Sequence, residues 1–215
     1  MKVDANGTTI EIAPNSKPYL LKRIIADGLD TVVLFGLFML LTALIMKMPL
    51  SRVYHSHFER AGAIQKETAE AFGNDREAVN QALNANDEYR DERFSANLHG
   101  YLLKALAGFI AEAVLLLLIP LITKNRVTPG KLLTGIMLFN ERKMERARWY
   151  QIVYRFLFIF ILDSLGLYLF TGILTFLLVP VLRLTEMLLN KKNKTLCDFV
   201  TGAMVIETIS YDGIN

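Results

Sequence analysis

Arg23, Asp27 and Asp30 follow one another at steps of four and three residues, at the start of an apolar segment. On a helix that spacing puts all three on one face, with the two ends almost two turns apart. Charges within a membrane span are costly and normally face a partner or a water-filled cavity. Arg23 can neutralise one aspartate; the other is left to bind a cation, take a proton or meet a cation from another helix. The alternative is a static anchor that fixes helix packing at the membrane edge. Asp30 is the leading ion- or proton-binding candidate, Asp27 the second, with Arg23 tuning the affinity.

Glu112 and Asp163 each interrupt a long apolar run. A carboxylate at that depth is costly to ionise, which suits a proton relay and equally a buried interhelical hydrogen bond. The basic partners on offer are Arg155 and Arg183, and Arg183 stands three residues before Glu186. His55, His57 and His99 are the only histidines, with Glu59 one turn beyond His55. That spacing is common by chance and no cysteine is near, so no metal site is expected. Nothing resembles a nucleophile elbow, an HExxH helix, a P-loop or a GxGxxG turn. Enzymatic chemistry and a cofactor are therefore not indicated, and the lone Cys197 excludes a disulfide framework within the chain.

The elements that must carry these residues are membrane spans. The 215 residues are 53% hydrophobic, with a mean hydropathy of +0.32. The apolar residues are bunched in blocks rather than spread at helix or strand periods, which points to a polytopic membrane protein. The net charge of +3 is small and the bases sit mostly beside the blocks, so no nucleic-acid partner is expected. The first 18 residues are polar, so no cleaved signal sequence is expected.

Val32 to Met46 holds no charge but is only 15 residues long, short of the roughly 20 a span needs. It must recruit residues before Val32, which draws Asp30 and Asp27 to the bilayer or its edge. Ala105 to Thr123 is a second span. Trp149 to Leu189, 41 residues of low charge, fits a third and a fourth span with a turn near Gly166 to Gly172. The expected fold is an all-α membrane protein of about four helices, with an extracytosolic helical hairpin insert and short cytosolic strands. Its parts run 1–18, 19–50, 51–98, 99–123, 124–148, 149–189 and 190–215.

Lys124 to Arg148 holds seven Lys/Arg in 25 residues, whereas Lys47 to Gly100 holds seven in 54 alongside nine acids. The positive-inside rule then puts both termini and the second connection in the cytosol of a cell inner membrane. Ser51 to Asn97 reads as two helices joined near Gly73, with Asn74 and Glu77 as a capping pair. Tyr54, Phe58, Ala61 and Phe72 fall on one side of the first helix, and Val79, Leu83 and Tyr89 or Phe94 on that of the second. Thr8 to Ala13, Gly135 to Asn140 and Ala203 to Thr208 read as short strands.

Several of these stretches together resemble the RDD family of bacterial membrane proteins. That family is named for an arginine and the first of two aspartates in its first helix, with the second aspartate near the C-terminus. Arg23-Ile-Ile-Ala-Asp-Gly-Leu-Asp30 matches the arginine, a small residue and the first aspartate. Thr128-Pro-Gly-Lys-Leu-Leu-Thr-Gly-Ile-Met-Leu138 resembles the family's stretch leading into a strand, and Arg155 falls where a family arginine opens the next apolar segment. Thr195-Leu-Cys-Asp-Phe-Val-Thr-Gly202 looks like the closing motif, with Asp198 as the second aspartate. The resemblance covers about Tyr19 to Glu207 apart from the insert. Cys197 stands where members often have histidine, so any role of that imidazole is missing here. The long hydrophilic insert is a second departure.

The resemblance implies transport, with sodium/proton exchange suggested for some members. Two classes of function follow. In one, the chain transports a monovalent cation, a proton or a small solute, with Arg23, Asp30, Glu112 and Asp163 along a polar path. In the other, it is an accessory or scaffold membrane protein whose hairpin binds a protein partner. The lipid bilayer is its expected environment, and four spans enclose so little volume that a homo-oligomer is expected.

Overall fold

The computed structural model describes residues 2–5, 8–11, 17–73, 75–123, 126–140, 145–161, 174–190 and 194–207. It is mostly helical and divides into two compact units, 1–38 with 109–215, and 39–108. Two helices are long and apolar enough to cross a membrane, Leu20–Ile45 and Asp87–Ile122. A shorter apolar helix runs over Trp149–Ile161. Within the region expected to hold the fourth span, a helix runs over Thr175–Leu189. The turn at Gly166 to Gly172 lies outside the described residues.

In the first unit, α1 (Lys17–Ile45) starts with Pro18 in its first turn, where a missing N–H costs nothing. Its burial alternates by face. Arg23, Ala26 and Asp30 are buried, while Ile24, Ile25, Leu29, Val32 and Val33 are exposed. An apolar exterior around a charged interior is the arrangement expected of a helix in lipid. The later chain supplies the rest: the π-helical turn Ala113–Leu118 leads into a short helix, Ile119–Ile122. Pro120 explains the wide turn. It offers no N–H and its ring crowds the carbonyl four residues back, so the ladder shifts to i−5 bonds, as in Ile119 N–H to Val114 O.

Among the described residues, five strands accompany the helices. Strands β1 (Lys2–Ala5) and β2 (Thr8–Glu11) form an antiparallel hairpin. Strand β3 (Ile136–Asn140) lies between β4 (Glu145–Arg146) and β5 (Ala203–Glu207), antiparallel to both. Ile136, Phe139, Val205 and Ile206 form its apolar core with Ile152 and Ala26. The strands expected at 8–13, 135–140 and 203–208 are present in their described parts. Strands β1 and β4 were not legible, being short and polar.

The second unit differs from the expected two-helix hairpin. Its helices are α2 (Arg52–Phe72), α3 (Arg76–Ala85) and the start of α4 (Asp87–Glu112). The break falls at Asn86, whose side chain accepts from Tyr89 N–H at 3.0 Å. From there α4 runs unbroken past residues 98 and 99, because no glycine or proline stop intervenes strong enough to end it; Gly100 alone is tolerated. Asp75 caps α3, accepting from Glu77 and Ala78 N–H at 3.0 and 3.1 Å. Asn74, expected in that role, lies outside the described residues. Ala61, Leu83 and Tyr89 form the small core. Phe58, Phe72 and Phe94 are exposed.

Candidate functional site

The site lies within the first unit and begins with α1. Its inner face presents Arg23, Asp27 and Asp30, and Arg23 is ion-paired with a distant segment. Its Nη2 donates to Asp198 Oδ2 at 2.5 Å, with both side chains fully buried. Arg155, on the helix α7 (Trp149–Phe158; α5 and α6 being Ile119–Ile122 and Pro129–Leu133), donates to the other Asp198 oxygen. One carboxylate thus bridges two guanidiniums from distant segments.

Asp198 is held there by its own helix, Leu196–Thr201. Its Oδ2 accepts from Thr195 N–H at 3.0 Å, and Thr195 Oγ1 accepts from Asp198 N–H at 3.3 Å, a reciprocal capping box. Burial alone would raise the Asp198 carboxyl. Arg23 and Arg155, with the Arg23 and Thr195 hydrogen bonds, instead hold it well below the usual carboxylate range.

The two aspartates of α1 are met by the turn Thr128–Lys131. Thr128 Oγ1 donates to Asp30 Oδ2, and Gly130 N–H to Asp30 Oδ1 at 2.8 Å. Lys131 Nζ reaches both carboxylates, Asp27 at 2.6 Å and Asp30 at 3.2 Å. Pro129 suits the first turn of α6, and glycine at 130 is a steric requirement. A Cβ there would stand 2.2 Å from the Ala26 carbonyl oxygen.

Beside this cluster lies a cavity of about 50 Å³, lined by Arg23, Asp27, Arg126, Lys131, Arg155 and Arg183 among others. That is room for roughly four water-sized groups. Leu116 and Pro120 line it too, so the π-helical turn shapes one wall. Glu186, another lining residue, accepts from Leu196 N–H at 3.0 Å. Asp30 does not line the cavity; Asp27 does. Asp30 accepts from three donors of this turn, and Asp27 is the aspartate on the cavity wall.

Glu112 is buried at the end of α4, immediately before the π-helical turn, and is not among the lining residues. Its suggested partner Arg155 is bonded to Asp198 instead. Asp163 lies outside the described residues. In the second unit His55 Nε2 meets Met46 O at 3.0 Å rather than Glu59. His57 Nδ1 meets Glu92 at 2.5 Å. Among the described residues no three metal-ligating side chains gather. Lys131 and Arg126 escaped the sequence reading of the site. The signal for Lys131 was present, since a basic residue directly follows a Pro-Gly pair that itself has no place inside an ordinary helix.

Two long apolar helices, with buried, paired charges from four separate segments, define a membrane-type protein with an internal ionic cluster. The family model described as RDD family matches residues 17–202, and the chain belongs to that family. No curated protein and no solved structure matches the chain.

Proposed function

We propose that this RDD-family chain crosses the membrane four times with both termini cytosolic, and that it moves a small ion or solute by exchange at Asp27. The observation that carries the reading is the Asp27–Lys131 contact on the cavity wall. Lys131 is a tethered cation. A proton on Asp27, or a monovalent cation beside it, competes with the ammonium for the same carboxylate and releases the lysine toward Asp30. The pair is thus a charge switch that a small monovalent species can operate. A homo-oligomer in the inner membrane supplies the wider path that one such bundle lacks.

The expected result is loss of gradient-driven flux in proteoliposomes for Asp27→Asn, with folding retained, when Na⁺, K⁺ and proton gradients are applied in turn. Asp30→Asn should instead lower stability, since it loosens the Thr128–Lys131 turn. Wild-type protein that carries none of these ions would sink the reading. The accessory alternative is favoured by exposed Phe58, Phe72 and Phe94 on the polar insert. It expects no wild-type flux, and loss of a partner complex when these rings are replaced by alanine.

Topology has its own test. Asp75→Cys on a Cys197→Ser background should react with an impermeant thiol reagent from outside the cell only. The motivation is the basic density of 124–148. Labelling from the cytosolic side alone would reverse the orientation.

A further inference from the structure

We infer that two short helices outside the expected spans, α6 and Leu196–Thr201, are themselves bedded in the lipid bilayer with their apolar sides toward the acyl chains. Both belong to segments expected from sequence to lie in the cytosol. The inference goes beyond the exchange at Asp27 and requires no flux.

Polarity is the first argument. A short helix lying against water keeps its charges outside and its apolar residues inside. Both of these helices are the reverse. In α6, Lys131 is buried against Asp27 and Asp30, while Leu132 and Leu133 beside it are exposed, Leu133 by 77%. In Leu196–Thr201, Asp198 is buried between two arginines, whereas Leu196, Phe199 and Val200 are exposed, Val200 by 61%. A single exposed leucine is ordinary on a soluble protein. A pair of helices whose charges all turn inward and whose large apolar side chains all turn outward is not; lipid is the solvent that suits that surface.

Depth is the second argument. The apolar stretch Leu20–Ile45 has 26 residues, about 39 Å of helix against a hydrocarbon core of about 30 Å. Even if the whole excess of about 9 Å protrudes at its N-terminal end, the hydrocarbon begins by Ala26, and Asp30 lies about 6 Å inside it. The α6 helix rests on that stretch. Gly130 N–H donates to Asp30 at 2.8 Å, and a Cβ on Gly130 would stand 2.2 Å from the Ala26 carbonyl oxygen. Leu132 and Leu133 are therefore level with lipid. The Leu196–Thr201 helix joins α1 one turn earlier, through Asp198 and Arg23, which sets it at the headgroup boundary. At the same depth α1 exposes Ile24, Ile25 and Leu29. The arrangement has a use, since both helices put a hydrocarbon surface between the buried ion pairs and the bilayer.

The test is nitroxide labelling of full-length protein in phosphatidylcholine liposomes, with Leu133→Cys or Val200→Cys on a Cys197→Ser background. Collisions with oxygen, which concentrates in lipid, are compared with collisions with a water-soluble nickel chelate. Ile25→Cys on the exposed side of α1 is the lipid reference, and Glu70→Cys on the exposed side of α2 is the water reference. Both labels should follow Ile25→Cys, with oxygen collisions in excess. A nickel-chelate excess like that of Glu70→Cys at either position overturns the inference. Shielding from both reagents also overturns it, and relief of that shielding on dilution in lipid would assign the faces to a second copy of the chain.

Unsubstituted protein gives a second reading, through its one tryptophan, Trp149. Trp149 is exposed at the start of α7, and Gln151 in the same turn donates to the Thr201 carbonyl at 3.1 Å. It therefore stands level with the end of the Leu196–Thr201 helix, where an interfacial aromatic ring is at home. Its fluorescence should be quenched by brominated phosphatidylcholine, most strongly by bromines near the headgroup. Absence of quenching overturns the inference even where the cysteine variants do not fold. Neither readout involves flux, so a chain that carries no ion can pass both tests and a transporter can fail both.

Discussion

Asp198→Asn should lower the stability of the first unit by about 3–5 kcal/mol, among the largest effects of any single substitution in the chain. The change is isosteric, so no cavity and no clash contribute. What it removes is the negative charge between two guanidiniums. Arg23 is 1% exposed and the Asp198 side chain is fully buried, so water cannot take over the lost interaction. The variant leaves two like charges facing a neutral amide, and it weakens the capping box that starts the last helix. Thermal unfolding in detergent should report a midpoint lower by on the order of 10 °C, given the usual conversion for a chain of this size. Removing one of the arginines as well, in Asp198→Asn with Arg155→Gln, should recover part of the loss. An Asp198→Asn midpoint equal to that of the wild type would show that the ionic cluster does not hold the fold together.

The same carboxylate predicts a pH dependence. Its folded-state pKa is depressed by Arg23 and Arg155 against the opposing effect of burial, while an unfolded aspartate titrates near 3.9. A depressed pKa means that the unfolded chain takes up the proton first. The stabilisation is therefore complete above about pH 5 and is lost progressively as the pH falls through 4 toward the folded value. Wild-type stability should fall more steeply than that of Asp198→Asn over that acid range. Parallel curves would remove Asp198 as the cause.

How far the site was legible follows from where its partners lie. The α1 face could be read because it is local: steps of four and three put Arg23, Asp27 and Asp30 together whatever the rest of the chain does. The partner of Arg23 could not, because Asp198 is 175 residues away and no periodicity links them. Only the family pattern grouped them. The surroundings of Asp30 were hidden from sequence for a related reason. Depth along a helix says how costly a charge is, but not how many donors from elsewhere will satisfy it, and Asp30 receives three from 128–131. The helical insert shows the opposite limit. Its helices were readable from composition, and the shared side of Phe58 and Phe72 with Ala61 from spacing, but spacing does not say which rings are covered. The unit builds its core from Ala61, Leu83 and Tyr89 and leaves those rings exposed.

Gly130→Ala should be nearly as damaging as loss of Asp198, although it adds a single methyl group. The position is crowded by backbone rather than by a flexible side chain. The new Cβ would lie 2.2 Å from the Ala26 carbonyl oxygen and 2.9 Å from Asp30 Oδ1. Neither neighbour can step aside alone. Ala26 is fully buried in the middle of the α1 face, and Asp30 accepts from the Gly130 N–H itself. The turn must therefore back away from α1 by more than an ångström, and that movement stretches all the contacts it makes there. The Thr128 hydroxyl and the Gly130 amide leave Asp30, and Lys131 loses its reach to Asp27 and Asp30. Overpacking alone costs about 1–3 kcal/mol, and each charge-assisted hydrogen bond given up adds about 1.5–3 kcal/mol before any repair by water. A loss of at least about 3 kcal/mol is expected, read as a lower thermal midpoint in detergent. Gly135→Ala is the control, since a Cβ there meets nothing within 4 Å. Its φ of +68° carries only the strain of a left-handed residue, about 1 kcal/mol. If Gly130→Ala proves no worse than Gly135→Ala, the turn does not press against α1 as the structure has it. The Asp27–Lys131 switch would then lose the support that positions it.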